Sequence, residues 1–251
     1  MHFHVPKPLH GWREFAGEVG IIVIGVLIAL GFEQAVDAWQ WGEKVNHAEA
    51  AMRLELGEDN GPQAYGRVLI GECLDNELAK IGDEAGNAPA DQLRRWVSSY
   101  TPPFRTWDSE AWKVVVASDT GSHMGSDRLI AWSAPYRMLP SLTEGNEREA
   151  QLVIQLRNDL PPAGDPSPSD LRSLRLTAGL LRLANHRFMT GSQLLLGRLQ
   201  ALGAQVPQPI QRQLVAHARA MYGSCITTPD LTARPTAARL DANLKSAALS
   251  Q

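Results

Sequence analysis

Cysteine is scarce in this chain, with two among 251 residues, so a dense disulfide scaffold is excluded. No two of its seven histidines stand four apart and no HExxH occurs, so no metal-ligand pair is built into a helix face. His2 and His4 lie too close to the terminus to form a preorganised site. Charge of one sign is not in excess: the formal net charge is −3, which argues against a nucleic-acid partner. Aromatic residues make up only 6%, while Leu, Ala and Arg are abundant, which favours helices over a β-sandwich. Motifs for nucleophilic catalysis are missing too, with no GxSxG, no SxxK and no glycine-rich phosphate loop. Ser224-Cys225 and His217 are eight helical residues apart, about 12 Å along an axis, too far to meet. No catalytic residue, metal or cofactor is expected.

One long apolar run is present. Val19 to Phe32 contains no charge, but fourteen helical residues reach only about 21 Å against a hydrocarbon core of about 30 Å. Extending it from Phe15 to Val36 gives about 33 Å, enough to cross, and encloses Glu18 and Glu33. Trp12 on one side and Trp39 with Trp41 on the other occupy interfacial positions. Lys7 and Arg13 precede the run, whereas Glu33, Asp37 and Glu43 follow it before Lys44. Positive-inside bias therefore places the head in the cytoplasm and the bulk of the chain outside it. A cleavable signal peptide is the rival reading, with Ala29-Leu30-Gly31 as a small-x-small site and cleavage after Gly31. An uncleaved anchor is the expectation, because no turn-former separates the run from that site.

The stretch PKPLHGWREFAGEVGIIVIGVLIALGFEQAVDAW resembles the opening of an uncharacterised family of small single-pass proteins of the Gram-negative inner membrane. That family opens on a short Pro/Trp/Arg head followed by an Ile/Val-rich GVLIAL segment. SEAWKVVVASDTGSHMGSDRLIAWSAPYRML and GECLDNELAKI are similar to its later segments. The resemblance implies an uncleaved inner-membrane protein with a helical periplasmic domain. It implies no activity.

Spacing of apolar residues predicts an all-α chain: a membrane helix continuing into a multi-helix periplasmic domain. Residues 1–13 read as a cytoplasmic head, 14–38 as the membrane helix, 39–225 as the helical domain and 226–251 as a weakly ordered tail. The membrane helix is expected to run on through Val45, Met52 and Leu56 and to stop at Gly57, Asn60, Gly61 and Pro62. Helices are then predicted over 62–83 and 89–100, and after a cap at Asp108 or Ser109. Another opens at Ser126 or Asp127, with kinks at Pro135 or Pro140, and resumes to Asp159. A proline-rich loop over 160–170 precedes the longest helix, 170–203, which is capped by Ser169 or Asp170. Its broad leucine stripe, Leu180 and Leu194 included, predicts that this helix is largely buried. A last helix covers 207–222.

Three groups of residues stand out. Cys73 and Cys225 both follow the anchor, where an oxidising compartment invites a disulfide; two buried unpaired thiols are the other reading. Tyr100, Phe104, Trp107, Trp112, Trp132 and Tyr136 form an aromatic concentration. With Arg105 or Asp108 as a polar handle it forms a ligand pocket; without one it is an aromatic core, the favoured reading. Glu14, Glu18, Gly25, Ala29 and Glu33 fall within about 100° on the membrane helix, and Gly25-x-x-x-Ala29 is a small-xxx-small pair. That face is expected to pack on another helix, from a second copy or a protein partner, within the lipid bilayer. The functional expectation is a non-enzymatic accessory or scaffold protein acting through helix and protein contacts. A periplasmic sensor or enzyme using the aromatic cluster is the alternative.

Overall fold

Helices account for the regular structure of residues 12–229, the part described by this computed structural model, and no strand occurs among them. The expected head before Trp12 and most of the expected tail lie outside the described residues.

Helix α1, Trp12–Leu54, does not stop at Gly57. A π-helical turn, Glu55–Asn60, joins it directly to α2, Gly61–Glu84. From Phe15 to Glu84 the rod is 70 residues long, about 105 Å. The expected stop fails for a local reason. The Gly61 amide reaches the Leu56 carbonyl five residues back, and the wider turn makes room for the ring of Pro62, which has no amide to offer an ordinary helix. Gly57 and Gly61 serve close approach instead of termination. A Cβ on Gly61 would stand 2.7 Å from Val206 and 2.9 Å from the Leu56 carbonyl.

Along the rod, burial starts abruptly. Among the described residues nothing covers its apolar window, and Val45 is the first that is buried. In α2 almost every position from Ala64 to Leu74 is buried, Arg67 included, so α2 is the central helix of the domain and not a surface one.

Around α2 lie α3 (Ala90–Ser99), α7 (Leu139–Asn158), α8 (Pro168–Ala201) and α9 (Gln208–Tyr222). Short helices α4 (Glu110–Ala117), α5 (Thr120–His123) and α6 (Ser126–Tyr136) join them on the side of α1. The connection between α4 and α6 thus contains a helical turn, Thr120–His123. Chain direction breaks at Arg137-Met138, between Pro135 in the last turn of α6 and Pro140 in the first of α7. At 34 residues α8 is shorter than α1 with 43, so it is not the longest helix. Ser167 and Asp170 close a capping box at its start, and Gly203, at φ 66°, follows its end. Contrary to the expectation of burial, α8 leaves Leu176, Leu180 and Leu183 open on one side, at 64%, 37% and 45%.

Candidate functional site

The rod is tied to the surrounding helices at three successive levels, two by polar bonds that no local sequence signal announces and the third by a disulfide.

The π turn makes the first tie. Buried Glu55 accepts the Ala111 amide at 2.9 Å and the Tyr136 hydroxyl at 2.8 Å. Ala111 is in the first turn of α4, and Ser109 makes no side-chain cap there. A carboxylate from 56 residues earlier therefore caps α4, where the helix dipole favours negative charge. Burial, followed by the bond to Glu55, pushes the Tyr136 hydroxyl well above the usual tyrosine range. Asn60 clasps the backbone of Asp108, donating to its carbonyl at 2.8 Å and accepting its amide at 2.9 Å.

Two turns beyond Asn60, Arg67 is completely buried. It makes a bidentate pair with Glu149 of α7 at 2.8 and 2.6 Å and donates to Asn185 of α8 at 2.8 Å. Asn185 passes the network back to α2 through the Gly71 carbonyl, 2.8 Å away. The guanidinium also lies over the Phe188 ring, 4.5 Å from its centre. Arg105 is buried beside this group. Burial first, and then the Arg67 cation, bring its pKa down to about 10. The Arg67 Nε, Arg105 Nε, Trp107 Nε1 and Asn146 Nδ2 find no protein acceptor. The node therefore offers an excess of donors.

The third tie joins Cys73 of α2 to Cys225, just beyond α9, with sulfurs 2.11 Å and Cα atoms 5.4 Å apart. The chain then follows α2, the Thr227 amide donating to the Leu69 carbonyl at 2.9 Å.

The proposed pocket aromatics divide between the first two levels. Trp112 stacks on Tyr136 at 5.4 Å, and buried Trp132 receives Arg53 at 5.4 Å; both belong to the Glu55 level. Trp107 leans on Phe188 at 6.1 Å, near Arg105 and the Arg67 level. None of Arg105, Trp107, Trp112, Trp132 and Tyr136 lines the groove of about 570 Å³ between α7 and α8. That groove is lined instead by Leu142, Leu152, Leu180, Leu183 and Phe188, with Arg137, Arg148 and Arg187 among its polar residues. Along the apolar stretch of α1, Glu18, Gly25, Ala29 and Glu33 are covered by no other element among the described residues, and open space surrounds Gly25.

Arg67 was the residue to find from the sequence. It is a lone cation inside an apolar stretch flanked by Gly66 and Gly71, and its acid is indistinguishable by pattern from Glu147 two positions away. Among the described residues no cluster of three or more His, Cys, Asp or Glu could hold a metal ion. Comparison of the chain with protein-family models, curated proteins and solved structures finds no match.

Proposed function

We propose that this chain is a non-enzymatic accessory or scaffold protein anchored by α1 in a bacterial inner membrane, with its head cytoplasmic and its helical domain periplasmic. One observation carries the reading: the apolar stretch of α1 is buried by nothing among the described residues, with Ile21 74% exposed. In water, leaving so many large aliphatic side chains open forgoes about 1.5–3 kcal/mol each, which a hydrocarbon environment restores. The Cys73–Cys225 pair supports an oxidising compartment for the domain. The unbroken rod supports a mechanical role, since any partner that tilts or rotates α1 moves α2, the core helix, with it. The face of Glu18, Gly25, Ala29 and Glu33 is where such a partner packs, because Gly25 and Ala29 let another backbone approach.

The test is topological. A periplasm-dependent reporter fused after Gln251 should be active, and the chain should stay with membranes through alkaline carbonate washing. Activity of a cytoplasm-only reporter would reverse the orientation, and release by carbonate would remove the anchor. Replacing Gly25 with Leu should leave insertion intact and deplete co-purified partner or second copy. Unchanged co-purification would show that this face packs on nothing.

A further inference from the structure

The groove between α7 and α8 has features that the scaffold reading does not use. The two helices are antiparallel neighbours, and along α7 the groove extends from Met138 to Leu152, about 21 Å of helix. Its floor is aliphatic, with Leu142, Leu152, Leu180 and Leu183, and the Phe188 ring closes its inner side. Its depth comes from missing side chains. Gly145 contributes no Cβ and faces open space, and a Cβ on Gly191 would stand 3.0 Å from Leu142.

The charge on the walls is one-sided. Three guanidiniums, Arg137, Arg148 and Arg187, meet one carboxylate, Glu144. Arg67, Arg94, Arg128 and Arg182 each pair with an acid. Among the described residues, the three groove arginines enter none of the ion pairs or side-chain hydrogen bonds that hold the fold together. Free guanidiniums above an apolar floor call for an occupant with an anionic head and an apolar body. Size selects among such occupants. A helix is about 10 Å across with its side chains, too wide to lie down in the gap that Gly145 and Gly191 leave between α7 and α8. A single alkyl chain fits within.

We propose that this groove binds a single-chain anionic amphiphile, such as a long-chain fatty acid or a lysophosphatidate. The chain lies on Leu142, Leu152, Leu180 and Leu183, and the acidic head is held among Arg137, Arg148 and Arg187. The site does not depend on the anchoring of α1. Asn185, on the groove helix, bonds to Gly71 on α2, which lies 35 residues, about 52 Å of rod, beyond Val36. Lipid contacts of the apolar segment and ligand contacts of the groove therefore fall on different peptides.

The experiment uses the full chain in nanodiscs of zwitterionic lipid, photolabelled with diazirine palmitate, with adducts mapped by mass spectrometry. Labelling is expected on α7 and α8 peptides, competed by palmitate and by palmitoyl lysophosphatidate but not by palmitoyl lysophosphatidylcholine. The two acids distinguish a carboxylate head from a phosphate one by which competes at lower concentration. Gly145→Leu starts from a Cβ position with open space around it, puts a branched side chain into the groove, and should abolish that labelling while leaving labelling of the α1 peptides unchanged. Arg148→Gln with Arg187→Gln, both on the surface, should weaken palmitate competition about ten-fold. Undiminished α7–α8 labelling in Gly145→Leu, equal competition by the phosphatidylcholine form, or adducts on α1 alone would each overturn the site. Loss of α1 labelling with groove labelling retained would instead count against the membrane anchor.

Discussion

Arg67 shows how much a single residue can decide in a helical core. A charge this deep tolerates burial because Glu149, Asn185 and the Phe188 face all meet it. Breaking such a pair leaves the other charge unpaired and costs about 3–5 kcal/mol, whereas replacing both partners by apolar groups is close to neutral. Arg67→Met and Glu149→Met are each expected to lower unfolding stability by that amount, and the double substitution to recover most of it. Urea unfolding of the detergent-solubilised chain, followed by circular dichroism, measures all three. Additive losses in the double variant would mean that the two groups do not act as a pair.

The tyrosines carry a second residue-scale consequence. Burial raises the pKa of Tyr65, Tyr100, Tyr136 and Tyr222 alike, and the chain has four in all. In the unfolded chain they ionise near pH 10, while in the folded one they stay protonated. The folded state then binds more protons, so their contribution is complete below pH 10 and is lost as pH rises above it. Absorbance near 295 nm should show Tyr100 and Tyr136 ionising only with alkaline unfolding, and Tyr65 and Tyr222 above their ordinary value. A separate step at the ordinary value while helicity persists would place the hydroxyls in solvent.

At the scale of the element, glycine has opposite meanings in two helices. Gly61 sits where the rod meets the loop after α8, and a methyl group there would collide with the backbone carbonyl of Leu56 as well as with Val206. Gly61→Ala is expected to destabilise by about 1–3 kcal/mol through overpacking. Gly145 faces open space in α7, so Gly145→Ala should stabilise by about 0.5–1 kcal/mol through helix propensity. Thermal unfolding of the two variants should move in opposite directions. Both glycines lie within helices, and only what surrounds each one separates them.

For the whole molecule, the Cys73–Cys225 link closes a loop across 152 positions. In the chain-entropy model a loop of that size restricts the unfolded state by about 5 kcal/mol. Cys73→Ser, or reduction of the native chain, should lower the melting temperature and slow migration on a non-reducing gel. Identical melting with and without reductant would show that the link contributes nothing.

The sequence by itself determined the all-α class, the placement of most helices and the apolar segment, because these follow from periodicity and composition within a few turns. It also marked the cysteine pair, since only one intramolecular pairing exists. Tertiary structure alone decided the rest. Gly57, Asn60, Gly61 and Pro62 carry every local mark of a stop, yet packing on Ala204–Val206 and the Asn60–Asp108 clasp hold a π turn that carries the helix through. The cap of α4 comes from Glu55 and not from Ser109. Arg67 finds its acid 82 residues away. Which leucines of α8 stay open depends on where α7 lies against it. A local window reports what a segment can bury; only the neighbours that arrive from distant sequence fix what it does bury.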